Sequence, residues 1–207
     1  MSAQDHAPAE VGTTRPGAGG RPTGPDDVTT AILDAATDLF TERSPATVSL
    51  REIARRADVN YGLIHRYYGS KEAVVAAVFR RKSEAGAQVI ANARNSDEAL
   101  GLLMSSTGGR AEYARLLAGA LVADTTSEAI FSRSPAVERL TELIRRDHGD
   151  ADERDPRVVA AAAMALSVGW SFFEPFYLAA ADLSDRDPDE VRGEVLDLVR
   201  AMVRSAG

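Results

Sequence analysis

The stretch VSLREIARRADVNYGLIHRYYGSKEAV, Val48 to Val74, holds two helix-length patterns with only a few residues between them. A link that short forces the second helix to cross the first steeply. Ser49 with Glu52 forms a capping box that opens the first helix, whose inner face is Ile53, Ala54 and Ala57. Asp58 and Val59 make the turn, Asn60 is placed to cap the second helix, and Gly69-Ser70 stops it. That second helix presents Tyr61, Gly62, Leu63, His65, Arg66 and Tyr67, a mixture unsuited to a core.

The flanking segments are helical too. Ile32, Ala35, Ala36, Leu39 and Phe40 recur at the spacing of one helix face, and Ser44-Pro45 ends that helix. Ser70 and Glu72 start a longer helix, Lys71 to about Asn92. Further starts are marked by Ser96-Asp97-Glu98, Ser134-Pro135, Asp155-Pro156 and Asp187-Pro188. The last helix has Val191, Val195, Leu198, Val199 and Met202 on one face. No segment alternates as a strand does, and no repeat of 20 to 50 residues is visible. The expected fold is all-α. Residues 1–26, rich in proline and glycine, read as a disordered arm whose Arg15 and Arg21 could reach a DNA minor groove. Residues 27–75 read as a small helical head and 76–207 as a larger helical body.

Composition narrows the function. Without cysteine there is no disulfide, thiolate chemistry or cysteine-based zinc site, which suits a reducing cytoplasm. The three histidines, His6, His65 and His148, are scattered, and no metal, nucleophile-elbow or phosphate-loop motif occurs. DRDPDE, Asp185 to Glu190, imitates a calcium loop but has Glu190 where glycine is required. No enzyme, cofactor or metal is therefore expected. No secretory signal is expected either, since residues 1–26 lack an apolar segment. The apolar run Val158 to Phe173 is 16 residues, shorter than the roughly 18 to 20 that span a bilayer, and reads as a buried helix.

The net charge of −7 is unevenly spread. Thr41 to Lys82 holds nine Lys/Arg against four acids, so this segment is +5 and the remainder −12. A basic head on an acidic body points to a polyanion as partner. Two helices joined so tightly match the helix-turn-helix arrangement, whose second helix enters the DNA major groove. There Leu63 and Tyr61 can touch a thymine methyl or a sugar, while His65, Arg66 and Tyr67 can bond phosphates or base edges. A mid-helix glycine costs about 1 kcal/mol relative to alanine, which suggests that Gly62 permits a close backbone approach.

On these residues the segment from Thr30 to Phe79 resembles the DNA-binding domain of the tetracycline-repressor (TetR) family of bacterial regulators. AILDAATDLFTER, TVSLREIARRADVNYGLIHRYYGSKEAV and the final Phe of AAVF carry the resemblance. It implies that Ile64 and Tyr68 belong to the core. It also implies that Tyr61, Gly62, Leu63, His65 and Arg66 face DNA and that Thr47 and Lys71 hold phosphates; Arg51, Asn60 and Tyr67 complete the expected DNA-binding set. Asp58 stands where the family has a turn glycine, and His65 where it has a tyrosine. A protonated His65 would hold phosphate more strongly.

Beyond residue 85 the resemblance is to an all-helical body that pairs with a second copy and binds a small effector. The helices Pro156–Leu183 and Asp189–Arg204 are the expected dimer surface. A hydrophobic effector is expected among Met104, Tyr113, Leu116, Leu117, Trp170, Phe173, Glu174, Phe176 and Tyr177. The implied function is a homodimeric repressor on a near-palindromic operator. A ligand-independent architectural or protein-binding module is the competing reading.

Overall fold

The protein is described by a computed structural model covering residues 22–105, 107–122, 133–149 and 154–204. Among the described residues the regular structure is entirely helical. In order the helices are α1 (Pro25–Glu42), α2 (Leu50–Arg56), α3 (Tyr61–Tyr67), α4 (Lys71–Val89), α5 (Ser96–Ser105), α6 (Thr107–Val122), α7 (Pro135–His148), α8 (Pro156–Ala180) and α9 (Pro188–Arg204). A 3-10 turn, Pro45–Thr47, links α1 to α2. α1 starts at Pro25, inside the segment expected to be a disordered arm, with Pro at its first position and Asp26 and Asp27 in its first turn. The rest of that arm, Arg15 and Arg21 included, lies outside the described residues.

The two turns that shape the head follow from named residues. Asn60 Oδ1 accepts from Gly62 N at 2.8 Å to cap α3. At the end of α2 the chain passes through Asp58 at φ +52°, with Val59 N donating to Ala54 O (3.0 Å) and Asp58 N to Arg55 O (3.4 Å). That pair of bonds is a Schellman motif, in which a left-handed residue lets the chain turn sharply while satisfying the last carbonyls. Aspartate tolerates this conformation better than most side chains. Gly69, at φ +75°, closes α3 with Gly69 N on His65 O (3.0 Å), and Ser70 then caps α4.

Two cores result. The head core gathers Ile32, Ala36 and Phe40 of α1, Ile53 of α2, Ile64 of α3, and Val74, Val75, Val78 and Phe79 of α4, and it takes in Leu116 and Ala120 of α6. The body core joins Leu100 and Leu103 of α5, Leu140 and Ile144 of α7, Val159 and Ala163 of α8, and Val199 and Val203 of α9. α4 runs from one to the other.

α8 departs from the expected buried helix. Val159, Ala160, Ala163 and Ser167 face inward, but Val158, Leu166, Phe172, Phe173, Phe176 and Tyr177 are exposed. At 25 residues it is long and apolar enough by composition to cross a membrane, yet it lies packed against α6, α7 and α9. Pro175 falls within it. On α9, Val191 and Val199 are buried and Val195 and Met202 half-buried, whereas Leu198, expected on the same face, is 70% exposed. Both helices thus carry apolar surface that a single chain leaves uncovered.

Candidate nucleic-acid interface

α3 is seven residues long and is held by one fully buried side chain, Ile64. Burying such a side chain contributes about 1.5–3 kcal/mol, enough to fix which face points out. Leu63, Tyr67 and Tyr68 pack against the head core from its edge, Tyr68 donating to Thr29 O at 3.4 Å. Asn60, Tyr61, Gly62, His65 and Arg66 are exposed. Leu63 and Tyr67 therefore show only part of their surface outward.

The exposed side chains are ordered among themselves. His65 Nδ1 lies 3.0 Å from Gly69 O and its Nε2 lies 2.7 Å from the Tyr61 hydroxyl. A carbonyl only accepts, so Nδ1 carries a proton; in neutral imidazole Nε2 then accepts from Tyr61 O–H. Tyr61 and His65 rings also meet edge-on at 4.8 Å, and the Arg51 guanidinium lies 5.8 Å from the Tyr61 ring centroid. Arg66 lies 5.9 Å from the Tyr67 centroid. Both ring nitrogens of His65 are thus engaged within the head, one of them by the Tyr61 hydroxyl. The replacement of a tyrosine by His65 gave no hint of that in the sequence.

Thr47 and Lys71 form a second group beside α3. Lys71 Nζ donates to Ala46 O at 2.9 Å, strapping the start of α4 to the 3-10 turn, and Thr47 Oγ1 donates to Ser44 O at 2.9 Å. Thr47 is exposed and Lys71 half-buried.

Of the nine basic residues between Thr41 and Lys82, Lys71 is held by the Ala46 carbonyl and the other eight divide in two. Arg43, Arg56, Arg80, Arg81 and Lys82 are paired with Glu52, Glu42, Glu84, Asp34 and Glu112. Arg51, Arg55 and Arg66 are exposed and in no ion pair among the described residues. Arg55 is not among the DNA-contacting residues expected from the sequence. Its position on α2, one turn before Val59, could have been included by following the basic stripe onto that helix. Uncompensated exposed arginines are what long-range attraction to a phosphate backbone requires.

The residues expected to hold an effector do not converge on one place. A cavity of about 660 Å³ lies between α4, α6, α7 and α8, and Tyr113, Leu117 and Phe173 line it. Leu116 does not, being fully buried in the head core with Ala120; Tyr113 and Leu117 form the adjacent stripe of the same helix, so one residue's rotation separates the two fates. Met104 is buried away from the cavity. Glu174 accepts from Trp170 Nε1 (3.0 Å) and from both Arg192 Nε (2.7 Å) and Nη2 (2.6 Å), a clamp between α8 and α9 that uses both of its oxygens. Phe176 and Tyr177 lie on the exposed side of α8, at 64% and 47%. The sequence reading missed Lys82, Ser83 and Gly86 of α4, Val137 of α7, and Met164 and Val168 of α8, all on the cavity wall.

Comparison with known proteins agrees with this geometry. Residues 32–78 match the profile described as bacterial regulatory proteins, tetR family. The chain is 36% identical to the HTH-type transcriptional repressor Rv3405c of Mycobacterium tuberculosis, over 90% of this chain and 96% of that protein. The HTH-type transcriptional regulator Mb3439c of Mycobacterium bovis matches equally. Among solved structures, a TetR-family regulator from Rhodococcus sp. superposes with TM-score 0.65 at 17% identity, covering 86% of this chain and 99% of that one. NalD of Pseudomonas aeruginosa, the secondary repressor of a multidrug efflux pump, gives TM-score 0.57 at 22% identity over 87% and 98%. A charged helix-turn-helix head, an all-helical body and this near-full-length identity lead to one conclusion: the chain belongs to the TetR family of DNA-binding transcriptional regulators.

Proposed function

We propose that this protein is a repressor that binds a near-palindromic operator as a homodimer and is released by a small, hydrophobic effector. One observation carries the reading: α3 is anchored by Ile64 so that Tyr61, Gly62, His65 and Arg66 face outward, and Arg66 stands with Arg51 and Arg55 as exposed arginines in no ion pair among the described residues. Leu63 and Tyr67, at the helix edge, add apolar contact. Asn60 caps the helix end that enters the groove, and Thr47 and Lys71 hold flanking phosphates. Residues 76–207 supply effector binding and pairing, with the cytoplasm as the setting.

Regulators of this family bind DNA and function as dimers. For this chain the uncovered apolar faces of α8 and α9 favour those helices as the pairing surface. Two-fold pairing sets a second α3 about one helical turn, roughly 34 Å, along the duplex.

Fluorescence anisotropy on a genomic fragment retained by the protein tests the assignment. Arg55→Ala and Arg66→Ala should each lower the slope of log affinity against log salt by about 0.9, one phosphate contact apiece. Arg80→Ala, whose partner is Glu84, should leave the slope unchanged. An unaltered slope in both head variants would remove α2 and α3 from the interface.

A further inference from the structure

Lys82 is the one charged residue on the wall of the 660 Å³ cavity among the described residues. It follows Arg81, which ties α4 to α1 through Asp34 (2.7 Å) and Thr37 (2.9 Å). Lys82 Nζ instead donates to Glu112 Oε2 of α6 at 2.7 Å, and Glu112 Oε1 accepts from Thr41 Oγ1 of α1 at 3.4 Å. Glu112 itself is not on the cavity wall. Lys82 thus stands on the cavity wall with its ammonium held by a counter-charge that lies off the wall and also touches the head. Tyr113, the next residue, lines the cavity, and its hydroxyl has no hydrogen-bond partner among the described residues. Burial pushes its phenol pKa up, so it remains a proton donor. Its ring meets Phe79 of the head core edge-on at 5.9 Å. The remaining wall is largely apolar, with Leu103, Val137, Met164 and Phe172 among its residues.

We propose that the cavity takes an amphipathic monoanion: an apolar chain or ring system bearing one carboxylate, which engages Lys82 and displaces Glu112 from it. This rests on reading the cavity as the effector site. Three ligand chemistries compete, and the geometry separates them. A cation would approach the like charge of Lys82. A neutral apolar molecule would fill the cavity and leave the Lys82–Glu112 pair as it is. An anion meets an ammonium with three N–H donors and competes directly with Glu112 for it. A ligand shifts a conformational equilibrium only through interactions that differ between the two states. Displacing Glu112 provides such a difference, because it releases the tie between α4 and α6 at the point where Glu112 touches α1. The cavity volume is within the range of about 300–1,000 Å³ that small ligands fill.

Titration calorimetry of the full chain with decanoate, decanol and decylamine, each below its micellar concentration, tests this. Decanoate should bind once per chain and about ten-fold or more tighter than decanol, the weight of one charge-assisted hydrogen bond. Decylamine should bind most weakly. Lys82→Met should abolish the gap between acid and alcohol and leave decanol binding unchanged, while Glu112→Gln should tighten decanoate by removing its competitor. Equal binding of acid and alcohol, preference for the amine, no saturable binding of any probe, or a gap that survives Lys82→Met would each overturn the proposal. DNA retention is read on the same preparations. Retention without a carboxylate preference sinks the ligand chemistry alone. Decanoate that binds Lys82 but leaves DNA bound sinks the effector role and leaves the binding site standing.

Discussion

Gly62 separates the needs of folding from those of binding. A Cβ built there would lie 3.3 Å from the cap oxygen Asn60 Oδ1, with nothing else within 4 Å. Only a slight shift of that exposed cap is required, and alanine is favoured over glycine in a helix by about 1 kcal/mol. Gly62→Ala should therefore change thermal stability little while lowering operator affinity by about ten-fold, because the added methyl stands on the outward surface. Melting and binding curves on one preparation check both; unchanged affinity would mean no backbone approach at this position. The exposure of Tyr61, Gly62, His65 and Arg66 was legible in the sequence because a seven-residue helix buries one narrow face, here Ile64, whereas Leu63 and Tyr67, expected outward with them, are half-buried against the head core. The engagements of Lys71 with Ala46 O and of His65 with Gly69 O were not legible, since each needs the backbone path of a neighbouring turn. Arg55 and Arg56 are neighbours of the same type, yet Arg56 is bound to Glu42 and Arg55 is not. Only the packing of α1 against α2 decides that.

Among the elements, α2 depends most on its ends. Glu52 accepts from Ser49 N at 2.9 Å, and its carboxyl is held at about 2, against an ordinary 4.5, by that backbone bond first, then by Arg43 and by the Ser49 hydroxyl. A depressed folded-state pKa stabilises above the unfolded value and is lost as pH falls through the folded one. The capping contribution should therefore be intact above about pH 4.5 and fade toward about pH 2. Glu52→Gln, which can still reach back to Ser49 N, should lose that acid dependence. Acid titration of helicity in the two proteins, followed by circular dichroism, makes the comparison; identical curves would deny Glu52 the role. Caps of this kind were legible because they are local: Ser49, Asn60, Ser70, Ser134 and Asp155 each accept from a backbone N–H within the next three residues. The facing of α8 was not legible. Five aromatic residues between Trp170 and Tyr177 give no preferred direction, and their division among the cavity, the Glu174–Arg192 clamp and the exposed side depends on where α6, α7 and α9 lie.

For the whole molecule, the uncovered apolar residues set the expected assembly. Phe176 and Leu198 are 64% and 70% exposed, which isolated chains rarely sustain as part of a larger apolar patch. Phe176→Asp together with Leu198→Asp should convert the pairing protein to monomers in sedimentation at micromolar concentration, with operator affinity falling by orders of magnitude as the second reading helix is lost. A wild-type protein that sediments as a monomer would refute the assembly. The all-helical plan and the basic head on an acidic body were open to sequence reasoning. The sharing of a core between them was not, because Leu116 and Ala120 look like any other residues of an alanine- and leucine-rich helix. That sharing has a practical outcome for anyone wishing to transplant specificity. An excised N-terminal fragment ending after α4 would leave Phe40 and Phe79 without the lid that α6 provides, so chimaeras between relatives should exchange this helix together with the first four.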